Sequence, residues 1–113
     1  MIYAGAFFPE FKEAAAWRKS GIDIMNREIN VQVYNDGGQF ELDPHYHLAA
    51  INIFCKALNI ADLNGFRNEF PQEYLDTIEK MIVFYANVSF PDYTNPCFSD
   101  AKLTNKKEML KNY

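Results

Sequence analysis

Between Asn35 and His47 the chain reads Asn-Asp-Gly-Gly-Gln-Phe-Glu-Leu-Asp-Pro-His-Tyr-His, which holds both of its histidines beside a tyrosine, a glutamate and a glutamine. No other stretch gathers as many groups able to hold or move a proton, so Gln39, Glu41, His45, Tyr46 and His47 are the candidate site residues. Free tyrosine ionises near pH 10, roughly three units too high for an efficient base at neutrality. A helix N-terminus carries partial positive charge, which favours tyrosinate over tyrosine and neutral over charged histidine. Its unpaired N–H groups also attract anions such as carboxylate or sulfate. Asp43-Pro44 is a strong helix start, with aspartate at the cap and proline at the first helical position. Tyr46 thus falls in a first helical turn beside an anion-friendly helix end, which suits proton transfer on an acidic substrate. The same residues equally suit a simpler role, a capped helix whose His and Tyr side chains bond to neighbouring helices.

Other chemistries fit these residues less well. His45 and His47 are two apart, so on a helix they point to different faces and do not easily share one metal. Cys55 and Cys97 form no Cys-x-x-Cys or paired Cys/His spacing, and neither a metal nor a cofactor is expected. Glu41 and Asp43 resemble a glycosidase carboxylate pair only in a spacing too common to be specific. No serine or cysteine stands near a histidine in a nucleophile motif.

Helices must position this stretch. Met1 to Phe8 is apolar and reads as the last turns of a helix, after which Pro9 restarts the chain. From Glu10 to about Tyr34, Phe11, Ala15, Ile22, Met25, Ile29 and Val33 make one apolar stripe; Trp17, Ile24 and Val31 make a second line. A helix with two apolar lines is packed on two sides. Gly21 within it is tolerable at a cost of about 1 kcal/mol against alanine. Asp36-Gly37-Gly38 ends that helix, and Gln39 to Leu42 is a short extended link. The helix begun by Asp43-Pro44 has Leu48, Ile51, Cys55 and Leu58 as its stripe and ends near Asn59. Another runs from about Pro71 to Val88 with Tyr74, Ile78, Met81, Ile82 and Tyr85 as its stripe. Phe90 to Asp100 is a loop, and Thr104 is the expected cap of a last helix, Asn105 to Tyr113. No strand pattern occurs, so the fold class expected is all-α, built from antiparallel helical hairpins.

Composition excludes several function classes. The formal net charge is −4 and no lysine/arginine stripe is present, which argues against a nucleic-acid partner. There is no apolar run of about 18 residues, the length a membrane span needs, and Met1-Ile2-Tyr3-Ala4 is not the start of a signal peptide. Aromatic residues at 16% suit either a dense core or a carbohydrate-binding surface. Arg18, Lys19 and Arg27, on the helix before the central stretch, are available to make a cleft locally basic although the whole is acidic.

Pro9-Glu10-Phe11 with Trp17 downstream, followed by Asp36 to His47, resembles the N-terminal domain of the heparinase II/III-like polysaccharide lyases. In those domains a DG-x-x-x-E-x-x-P-x-YH pattern lies between two helices of an incomplete (α/α) toroid. The resemblance is strongest to the heparinase III branch, the heparan-sulfate lyases, and extends through the loop from Pro91 to Asp100. It implies cleavage of a uronic-acid polysaccharide, an acidic glycosaminoglycan, by β-elimination. Such chemistry needs the uronate carboxylate neutralised, a base for the C5 proton and an acid for the departing O4 oxygen. By resemblance Tyr46 is the catalytic tyrosine, acting as acid and for some substrates as base. Glu41, His45, His47 and Gln39 would orient it or contact sugar.

The family also uses an Asn-His pair before the tyrosine, and a histidine from a C-terminal β-sandwich domain. Neither is in this chain. Residues 1–113 are therefore expected to be one segment of the toroid domain, truncated at both ends and inactive alone, whose partners are the missing remainder of the toroid and the β-sandwich. Residence in the periplasm or outside the cell is implied by resemblance only. The alternative is a non-catalytic α-helical carbohydrate-binding or interaction module.

Overall fold

The structure, a computed structural model, describes residues 1–111. It is all-α, a set of antiparallel helical hairpins 49 × 26 × 24 Å in extent. The helices are α1 (Ile2–Phe7), α2 (Ala14–Gln32), α3 (Pro44–Leu63), α4 (Gln72–Val88) and α5 (Lys107–Leu110), with a 3₁₀ turn at Arg67–Glu69. Strand-like pairing among the described residues is confined to two isolated bridges, Val33 with Gln39 and Thr94 with Asn105. No described helix is long and apolar enough to cross a membrane.

The core lies where α3 meets α2 and α4. Ile22 and Ile29 of α2, Leu48, Ile51 and Phe54 of α3, and Tyr74, Ile78, Met81 and Tyr85 of α4 are buried together. The α4 positions recur at intervals of four, three and four, so that helix buries one stripe as its periodicity predicts. Tyr74 stands edge-on to Phe54, with ring centroids 5.9 Å apart, and donates its hydroxyl to the Phe54 carbonyl at 3.1 Å. Burial pushes the Tyr74 phenol far above its ordinary value.

Several expectations are corrected. α2 starts at Ala14, not Glu10, because residues 8–13 fold as tight turns that set Phe8 edge-on to Phe11 and Phe11 at a tilt against Trp17. Phe11 and Ala15 are consequently exposed, outside the buried stripe. α3 continues past Asn59 to Leu63, since Ala61 extends the buried line of Phe54 and Ala57. Thr104 does not cap the last helix: its N–H and hydroxyl both bond to buried Asn95 Oδ1, at 3.1 and 2.8 Å. Asn105 takes the capping role, its Oδ1 accepting from Lys107 N at 3.0 Å. The expected end of that helix, Asn112 and Tyr113, lies outside the described residues.

The expected packing of α2 on two sides is not found along its second apolar line: Trp17 is half-buried against Phe11, but Ile24 is exposed and Val31 is 70% accessible. On the buried side, Gly21 sits where α1 crosses α2. A Cβ there would lie 2.6 Å from Ile2 Cγ1 and 2.9 Å from Ile2 N. Helix propensity alone makes Gly21→Ala stabilising by about 1 kcal/mol. The crossing reverses that sign, because a buried contact this short displaces α1. Gly21→Ala is expected to lower stability by about 1–2 kcal/mol in urea unfolding.

Candidate active site

The central stretch is a loop folded back on the end of α2 and seated on α4. Tyr34 N–H donates to the Gly38 carbonyl at 2.8 Å, and Phe40 N–H to the Gln32 carbonyl at 2.8 Å. Gly38 N–H is held by Asp36 Oδ1 at 2.9 Å. Gly37 has φ +92° and lies so close to the Lys80 carbonyl of α4 that any side chain would overlap it.

Gln39 is the buried hub of this loop. Its N–H donates to His47 Nδ1 at 3.2 Å, and its Oε1 accepts from Glu41 N at 3.0 Å. Because a backbone N–H only donates, the second bond fixes the amide orientation and leaves Nε2 as the donor end. Leu42 then adopts φ +55°, an unusual conformation for a large residue, and delivers the chain to Asp43. Asp43 caps α3, its Oδ1 accepting from His45 N at 2.7 Å and Tyr46 N at 3.1 Å.

That cap overturns the expected anion site at the helix end. Pro44 has no N–H, the amides of His45 and Tyr46 are taken by the Asp43 carboxylate, and His47 N–H bonds to the Asp43 carbonyl at 2.8 Å. The first turn has no amide left for a substrate anion, and a carboxylate offsets its positive end.

The two histidines and Tyr46 part company. His47 is 3% exposed, sandwiched against Phe84 and Tyr85 at centroid distances of 5.3 and 5.9 Å. Its Nδ1 accepts from Gln39 N–H, so the proton must be on Nε2, which donates to the Met81 carbonyl at 2.8 Å. His47 thus clamps the loop and α3 to α4. His45 is half-buried, and its Nδ1 is buried without a partner among the described residues.

Burial holds the His47 pKa below its ordinary value, although the Met81 carbonyl acts the other way. A proton on Nδ1 would also face the Gln39 N–H head to head. Between the lowered native value and the ordinary value near 6.5, the unfolded chain binds more protons. Stability from this group is therefore complete above pH 6.5 and falls as pH drops below it. The urea midpoint of the wild-type chain is expected to decline with acidification over that range, more steeply than that of His47→Gln.

Tyr46 is 46% exposed and looks into a cleft of about 300 Å³ between α2 and α3. The cleft brings together three of the five candidates, Gln39, Glu41 and Tyr46, with Glu28 and Gln32 of α2 across from them. Glu28 Oε2 accepts from Gln32 Nε2 at 3.2 Å, and Arg27 with Gln32 holds the Glu28 carboxyl below its ordinary value. Glu28 and Gln32 were legible as a polar line at i, i+4 continuing from Met25, but lie outside the central stretch. No lysine, arginine or histidine lines this cleft among the described residues. The expected local basicity is also absent from α2. Arg18 lies over the Phe66 ring at 3.7 Å and pairs with Glu69, Lys19 pairs with Asp23 and Arg27 with Glu28.

The full chain, residues 1–113, matches the family described as Heparinase II/III N-terminus. A heparin-sulfate lyase of Bacteroides stercoris is 99% identical over 113 residues, which are 100% of this chain and 17% of that protein. The heparin-sulfate lyase of Pedobacter heparinus is 50% identical over 105 residues, 93% of this chain and 16% of that protein. The chain therefore spans about a sixth of the length of the curated relatives it matches. Among solved structures, a heparinase III with methylated lysines superposes with a TM-score of 0.92 at 92% identity, over 99% of this chain and 17% of that one. A heparan sulfate lyase from Pedobacter heparinus gives 0.89 at 47% identity, over 98% of this chain and 17% of that one.

Proposed function

Since the chain belongs to the heparinase II/III N-terminus family, we propose that it is the tyrosine-bearing segment of a polysaccharide lyase cleaving heparan-sulfate-type uronate polymers by β-elimination. The observation that carries this reading is Tyr46 itself. Its ring is exposed in a cleft, while the backbone beneath it is fixed by the Asp43 cap and by the His47 clamp one residue on. A tyrosine held this firmly at the wall of a cleft is suited to pass a proton to a bound substrate.

In the reaction, a base removes the C5 proton, its electron pair forms the C4–C5 double bond, the C4–O4 bond breaks and O4 takes up a proton. Tyr46 is assigned the proton delivered to O4, and in its ionised form the removal of the C5 proton. Glu41 and the Gln39 amide beside it would orient Tyr46 or bond sugar hydroxyls. His47 acts one step back, through the Gln39 loop. The uronate carboxylate must be neutralised for C5 to become acidic enough, and no cation lines the described cleft. That half of the machinery would be supplied by the rest of a longer protein, the remaining toroid and a C-terminal β-sandwich, acting in the periplasm or outside the cell.

The test compares the longer protein with the 113-residue chain on heparan sulfate, following the ultraviolet absorbance of unsaturated uronate. The longer protein is expected to produce it and the chain alone is not. Sugar release by the longer protein without an unsaturated product would replace the lyase reading with hydrolysis. Binding without any cleavage would favour the carbohydrate-binding module.

A further inference from the structure

A second cavity, of about 420 Å³, lies between the start of α3, the end of α4 and residues 96–99. It is of the size that ligand pockets have, roughly 300–1,000 Å³. Its walls are apolar, with Leu42, Pro44, Phe84, Val88 and Phe98 prominent. Four buried polar side chains also line it, Gln39, Asp43, His47 and Tyr85; Gln39 and His47 are bonded within the loop and to α4, and the other two are the ones left short of partners. Asp43 is 2% exposed and Tyr85 is 1% exposed, and Asp43 Oδ2 and the Tyr85 hydroxyl have no hydrogen-bond partner among the described residues. The other carboxylate oxygen, Asp43 Oδ1, is taken by two amides, and the Ser89 hydroxyl is donated to the Tyr85 carbonyl. A carboxylate oxygen buried without a donor is unfavourable, and walls this apolar do not favour a chain of waters.

We infer that this cavity seats a lysine or arginine side chain carried by another segment of the longer protein. Its aliphatic stem would lie on Phe84, Val88 and Phe98, and its charged head would donate to Asp43 Oδ2 and the Tyr85 oxygen. A guanidinium or ammonium on an apolar stem matches both the walls and the charge at the base. The relatives are about six times the length of this chain, so most of their surface-forming segments are available as the source. The inference rests on the reading of the chain as a segment of such a protein. It links assembly to chemistry, because Asp43 is also the cap of the turn that carries Tyr46.

The test uses n-butylguanidinium and n-butanol as probes of the 113-residue chain, with binding followed by NMR chemical shifts. Butylguanidinium is expected to shift Phe84, Val88 and Phe98 saturably and to bind about fivefold or more tightly than butanol. Asp43→Asn, which keeps a capping side chain, should abolish that preference, and Tyr85→Phe should reduce it. Calorimetry on the longer protein should detect no butylguanidinium binding at this seat, because it is occupied. Three results would each overturn the inference: no saturable shift in the chain, equal binding of both probes, or undiminished preference in Asp43→Asn. Equal butylguanidinium binding by the longer protein would overturn the assigned occupant. No turnover is read, so failure here leaves the lyase reading intact, and the lyase reading fails only in the uronate assay.

Discussion

Gly37→Ala is expected to destabilise the chain by about 3 kcal/mol, the largest stability effect of any single methyl group here. Two costs combine at that position. The backbone has φ +92°, which an L side chain rarely adopts, and the added Cβ would overlap the Lys80 carbonyl, which is backbone of α4. The loop would have to lift off α4, and the Gln39–His47–Met81 connections beside it would loosen as well. Gly65→Ala separates the two costs: it also has positive φ, +76°, but nothing lies within 4 Å of its Cβ position. It should lose only about 1 kcal/mol, the conformational part alone. Urea unfolding of both variants checks this. Equal losses would mean that the loop does not rest on α4, and the positioning ascribed to it would fail.

How far the sequence predicts this arrangement depends on how far each signal reaches along the chain. The start of α3 was fully legible, because the cap and the first-turn proline are adjacent residues and the bonds they make span two or three positions. The buried stripe of α4 was legible for a similar reason, helical periodicity within one element. The start of α2 was not, because residues 8–13 are held in turns by the bonds of Phe11 N–H to the Phe8 carbonyl and Ala14 N–H to the Phe11 carbonyl. Phe8, Phe11 and Trp17 are in contact there, and apolar periodicity reveals none of this. The anion site failed on a subtler point. The same aspartate that marks the helix start also occupies the amides that would have bound the anion. His47 could not be told from a sugar ligand, since its Met81 partner is 34 positions away. Glu28 and Gln32 entered the cleft only when α2 folded beside α3. The second line of α2 departs from its pattern: two apolar lines predict packing on two sides, yet Ile24 and Val31 are exposed, because periodicity marks an apolar face without naming what covers it.

Tyr46→Phe carries the largest expected effect on activity. The substitution removes one hydroxyl from a ring that is 46% exposed, so the fold should change by no more than about 0.5 kcal/mol. The Asp43 cap bonds to the backbone N–H of residue 46 and is indifferent to the side chain. A positioned acid or base contributes about 10²–10⁴-fold to a rate, and if one tyrosine serves both steps the loss lies at the upper end. The expected pattern is a fall in kcat with KM little changed, the mark of a group that acts in the transition state. His47→Gln, in contrast, should reduce activity only in proportion to its loss of stability, because it acts through the loop.

The most direct measurement is the rate of unsaturated-uronate formation on heparan sulfate by the longer protein, wild type against Tyr46→Phe, with thermal unfolding of both recorded alongside. A loss of about 10²-fold or more is expected in Tyr46→Phe, at an unfolding temperature that stays within about 2 °C of wild type. Wild-type turnover in Tyr46→Phe would show that Tyr46 is not the group that moves the proton.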